Sequence, residues 1–77
     1  MGKTAVPKGQ ISNNIRKLRF ASEEMTQKEL AAKVGVSRQT IVAIEKDHYP
    51  PSLALAFMIA HVLGEPFQDV FSYKPAN

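Results

Sequence analysis

Seventy-seven residues, 44% of them hydrophobic and 22% charged, are enough for one small domain and exclude both a membrane span and a disordered chain. The absence of cysteine excludes disulfides, thiolate catalysis and thiolate metal sites, and fits a cytoplasmic chain. The net charge of +3 is unevenly spread: Lys3, Lys8, Arg16, Lys17 and Arg19 lie in the first twenty residues, where no Asp or Glu occurs.

Met1 to Gln10, with Gly2, Pro7 and Gly9, reads as the core of a flexible basic arm spanning residues 1–11. It lacks the apolar run of a signal peptide, and Val6 stands where a myristoylation signal needs a hydroxyl residue, so no targeting segment is expected. Residues 12–72 form the domain, and residues 73–77 a tail.

Ile11, Ile15 and Leu18 recur at helical spacing, which predicts a first helix from Ser12 to Ala21 with Ser12 or a neighbour as cap. "MTQKEL" then places Thr26 as N-cap with Glu29 three residues on, a capping box, and Met25 and Leu30 at staple positions. A second helix is expected from Gln27 to Val34, ended by Gly35, the residue that adopts a left-handed backbone at least cost. Ser37 caps again within about three residues, with Val36 and Ile41 as a second staple. Two short helices joined so tightly, with Leu30, Ala31, Val34, Val36, Ile41 and Ile44 aimed at one core, predict a helix-turn-helix. The small Ala31 suits the point where the helices cross. Pro50 and Pro51 break the chain, Ser52 caps a fourth helix from Leu53 to Leu63, and Gly64 ends it. "EPFQDVF" gives a last short helix with Pro66 at its start and Phe67, Val70 and Phe71 as anchors. Five helices and no strand are expected.

The segments "IRKLR", "TQKELAAKVGVSRQTIVAIE", "PSLALAFMIAHVLG" and "DVF" resemble, in order, the xenobiotic-response-element class of regulators, which includes the phage Cro and cI repressors. The likeness covers residues 13 to 71. It implies an all-α, five-helix, lambda-repressor-like domain with the helix-turn-helix formed by helices 2 and 3, usually dimeric, binding DNA with its third helix and most often repressing transcription.

A recognition helix enters the major groove by its N-terminal end, so first-turn side chains reach base edges. Arg38 can fork onto guanine O6 and N7, Gln39 can pair with adenine N6 and N7, and the methyl of Thr40 or the body of Val42 can meet a thymine methyl. Ser37, Arg38 and Gln39 match the family's base-reading positions, and Ala43 matches a further one with at most an apolar contact. Gln27 matches the family's phosphate contact at the start of the second helix, where free amides favour an anion. Lys28, Lys46, Lys3 and Lys8 are further phosphate candidates. The resemblance also pairs Arg19 with Glu45 as a brace for the recognition helix.

Three features depart from the family pattern. One extra residue in "FASEEM" implies a longer loop after the first helix. Lys46-Asp47 replaces a common Asn-Gly, which implies a longer or frayed end to the recognition helix. In the fourth helix Leu53, Ala56, Phe57, Ala60 and Leu63 supply one core face and Leu55, Ile59 and Val62 another, while Ala54, Met58 and His61 stand where charged residues are usual. Met58, His61, Phe71 and Tyr73 are therefore expected to lie at a subunit or partner surface.

No acid and histidine pair has ligand spacing, "GVSRQ" is not a hydrolase elbow, and neither an enzyme, a metal nor a cofactor is expected. The expected partner is double-stranded DNA carrying a palindromic operator, bound by a homodimer, with no membrane involved. Regulation is expected through protein concentration, proteolysis or a protein partner, and the alternative reading is an antitoxin that also masks a toxin.

Overall fold

The computed structural model describes residues 9–48 and 50–75. Seven elements follow one another: β1 (Gly9–Asn13), α1 (Ile15–Ala21), α2 (Gln27–Val34), α3 (Arg38–Glu45), α4 (Leu53–Leu63), α5 (Phe67–Val70) and β2 (Phe71–Pro75). The largest fully buried side chains, Ile15, Leu30, Ile41, Ile44, Ile59 and Val70, draw on every helix, so the core lies where the five helices converge. Each such side chain contributes about 1.5–3 kcal/mol by leaving water.

The all-α expectation is corrected by a two-stranded antiparallel ribbon pairing Ile11 with Tyr73 and Ser12 with Ser72. Residues 9–11 and 73–75 therefore belong to strands, not to an arm and a tail; the expectation of a flexible arm at residues 1–8 lies outside the described residues. An isolated pair of strands is marginal in water. Here it is pinned at its base: the Asn14 N–H donates to the Val70 carbonyl at 2.9 Å, Asn14 Nδ2 donates to the Asp69 carbonyl at 3.1 Å, and the Ser12 and Ser72 hydroxyls share a bond of 2.9 Å. The Tyr73 ring lies over Gly9 in space that any Cβ there would occupy. Alternation puts Ile11, Asn13, Phe71 and Tyr73 on one face of the ribbon and Gln10, Ser12, Ser72 and Lys74 on the other.

Because Ser12 is in the ribbon it does not cap α1, which starts at Ile15. The extra residue after α1 is absorbed where Glu23 and Glu24 both take left-handed backbone angles, φ 57°. In α2 both halves of the capping box form, with the Glu29 N–H donating to Thr26 Oγ1 at 3.0 Å and the Thr26 N–H donating to Glu29 Oε1 at 2.8 Å. Gly35 ends α2 at φ 78°.

The expected lengthening of α3 does not occur. It stops at Glu45, Asp47 takes φ 60°, and the Asp47 and His48 amides donate to the Ile44 and Ala43 carbonyls at 3.0 and 2.9 Å. This is the closed turn that glycine usually makes, and aspartate tolerates it better than most residues. In α4 the core face is Leu55, Ala56, Ile59, Ala60 and Leu63; Leu53 and Phe57, expected inside, point outward.

Candidate nucleic-acid interface

Ile41 and Ile44 anchor α3 in the core, which turns Arg38 and Gln39 to solvent. Neither side chain has a hydrogen-bond or ion-pair partner among the described residues. Ser37 is exposed too, but its hydroxyl accepts from the Thr40 N–H at 3.2 Å and shares a bond of 3.0 Å with Thr40 Oγ1. It is thus engaged as the cap. Thr40, Val42 and Ala43 are half-buried, with Ala43 and exposed Lys46 following Gln39 along one helix face.

Behind that face, Arg19 Nε donates to Glu45 Oε2 at 2.7 Å and Nη2 to Oε1 at 3.2 Å, a forked pair in which both side chains are 7% exposed. Arg19 Nη1 also donates to the Met25 carbonyl at 2.7 Å. Gln27 Nε2 donates to Glu45 Oε1 at 3.1 Å, leaving its second amide hydrogen unengaged at the start of α2. One carboxylate therefore joins α1, α2 and α3.

Lys28 and Lys46 are exposed and free of acidic partners among the described residues; Lys3 and Lys8 lie outside those residues. Arg16 was missed as a phosphate candidate. It lines a groove with Arg19, Phe20, Gln27, Glu45 and Lys46, and its guanidinium sits 5.8 Å from the Phe20 ring centroid. The acid-free first twenty residues held the signal for it.

The helix-turn-helix sequence profile matches residues 15–70. The chain belongs to the helix-turn-helix family. Among similar proteins is an HTH-type transcriptional regulator of Methanocaldococcus jannaschii, 56% identical over 54 residues that cover 70% of this chain and 82% of the relative. One from Archaeoglobus fulgidus is 52% identical, covering 82% and 89%. The Bacillus subtilis HTH-type regulator YgzD is 40% identical, covering 87% of this chain and all of the relative (100%). In structure this helix-turn-helix chain is similar to the transcriptional regulator VanUg, with a TM-score of 0.76, 26% identity, and coverage of 97% and 99%.

The remaining expected residues fall on two sides of a boundary. Met58, His61 and Tyr73 are exposed, whereas Phe71, expected both as an anchor of the last helix and at the surface, is buried beside Phe67, ring centroids 5.4 Å apart, as an anchor and not a surface residue. Its place at the surface is taken by Ile11, Leu53 and Phe57, which periodicity alone assigned inward or left unassigned. Among the described residues there is no cluster of three potential metal ligands and no helix long and apolar enough to cross a membrane.

Proposed function

We propose that this helix-turn-helix regulator is a homodimeric repressor that reads a palindromic operator by laying α3 in the major groove. The observation that carries the reading is the pair of free, exposed side chains Arg38 and Gln39 on the first turn of a helix held from behind by a buried ion pair. Phosphates are met by Gln27, Lys28, Lys46 and Arg16, and base edges by Arg38 and Gln39, with Thr40, Val42 and Ala43 adding apolar contact. Ser37 caps the turn, and its exposed hydroxyl keeps capacity for a further contact to a base edge. A DNA target fits a cytoplasmic protein. The relatives' description as transcriptional regulators supports this reading over the antitoxin alternative.

The second copy is supported by apolar surface. Leu53 is 70% exposed, Phe57 54%, Tyr73 50%, Met58 45% and Ile11 42%, and none of these side chains is charged. At about 150–250 Å² for a large side chain, they expose on the order of 500 Å² per subunit, a large part of the roughly 800 Å² per partner of a specific interface. Two recognition helices then meet half-sites about 34–36 Å apart.

Selection of bound sequences from random duplexes at physiological salt tests the reading. A two-fold symmetric motif is expected, with Arg38→Ala and Gln39→Ala each relaxing it at defined bases by about 1–3 kcal/mol. Salt-sensitive binding without enrichment would overturn it.

A further inference from the structure

We infer that Asn13 is a positioning residue for DNA recognition: its side-chain amide fastens the end of α3 to the ribbon and to the start of α1, and so holds the angle at which Arg38 and Gln39 are presented. The inference rests on α3 being the base-reading helix.

Asn13 closes β1 opposite Phe71. Its Oδ1 accepts from the N–H of Ile15, the first residue of α1, at 3.1 Å. Its Nδ2 donates to the Ile44 carbonyl in the last turn of α3 at 2.9 Å and to Asp47 Oδ1 at 3.2 Å. Asp47 is the left-handed residue that closes α3, φ 60°. A primary amide suits this place because it offers an acceptor to one helix and two donors to the other; a carboxylate or hydroxyl lacks that set.

The Arg19–Glu45 pair ties the same end of α3 to the far end of α1. The buried Ile41 and Ile44 and the Gln27–Glu45 bond hold α3 from the α2 and core sides, and the Asn13 amide adds the tie from the ribbon. An α3 of eight residues is about 12 Å long, so a tilt of about 10° at its end carries the first turn about 2 Å sideways. Base-edge contacts tolerate displacements of only about 0.5 Å. Long lysine and arginine side chains can follow a phosphate through such a shift. Loosening Asn13 therefore lowers specific affinity and leaves sequence-independent binding largely in place.

Asn13→Asp tests this, since it keeps the acceptor for α1 and removes both donors to α3. The readout is the ratio of affinity for the selected operator to affinity for random duplex, with the melting curve showing folded protein at the assay temperature. The ratio is expected to fall about 10-fold or more, and uncharged Asn13→Ala to lower it similarly. Adding Asp47→Asn to Asn13→Asp returns the bond between these two side chains and the original net charge but not the donor to the Ile44 carbonyl, and is expected to recover part of the ratio, about threefold. An unchanged ratio in Asn13→Asp, or no recovery in the double variant, would overturn the inference while the wild-type motif stands. Failure of the wild-type protein to enrich any motif would instead overturn the DNA reading beneath it.

Discussion

Arg19 and Glu45 form a buried ion pair, each side chain only 7% exposed. Removing either partner strands a buried charge, so Arg19→Ala and Glu45→Ala are each expected to cost about 3–5 kcal/mol in chemical denaturation. The double variant should lose less than the sum by about 1 kcal/mol or more. Additive losses would show that the pair is not coupled. Glu29 makes a different prediction. The Thr26 amide, and then its hydroxyl, hold the carboxylate below the usual carboxylate range against desolvation, with Lys33 adding to the lowering. A pKa lowered by folding gives stability that is fully present above the unfolded value, about 4.3, and is lost as pH falls through the lower folded value. The melting-temperature gap between wild type and Glu29→Ala should therefore be steady near neutral pH and close in acid. A gap unchanged below that range would remove the ionised capping box from the account.

At the scale of elements, the α2–α3 unit depends on close approach at Ala31, which is 3% exposed. Ala31→Leu is expected to cost about 1–3 kcal/mol by overpacking and to weaken operator binding as the two helices part. Ala32→Leu, on the exposed side of the same helix, should stay within about 0.5 kcal/mol. Equal effects at both positions, measured by urea denaturation, would mean that Ala31 is not a packing constraint. The α2 and α3 boundaries were legible because capping chemistry is local: Thr26, Glu29, Gly35 and Ser37 each act within a few residues of themselves. The ribbon was not, because its Ser12–Ser72 pairing joins residues sixty positions apart and no local residue encodes a partner that distant.

For the molecule as a whole, the question is what covers Leu53, Phe57 and their neighbours. Leu53→Asp, at a side chain 70% exposed, leaves the core face of α4 intact and, on the proposed homodimer, is expected to shift sedimentation towards monomer and weaken binding to a two-half-site operator. Persistence of a dimer would place the interface elsewhere. The exposed face could not be assigned from periodicity, since α4 is apolar on nearly every side and both of its stripes suit a core.

The sequence by itself determined the helix-turn-helix, its caps, the base-reading candidates and the buried residues of α2 and α3, because helix ends and apolar periodicity are written in near neighbours. Tertiary structure alone decided which face of α4 is inside, which of its two expected places Phe71 takes, that residues 9–13 and 71–75 pair, and that Asn13 reaches the end of α3. Those outcomes depend on which distant segments compete for the same core and the same hydrogen bonds. That competition is settled only when the whole chain has packed.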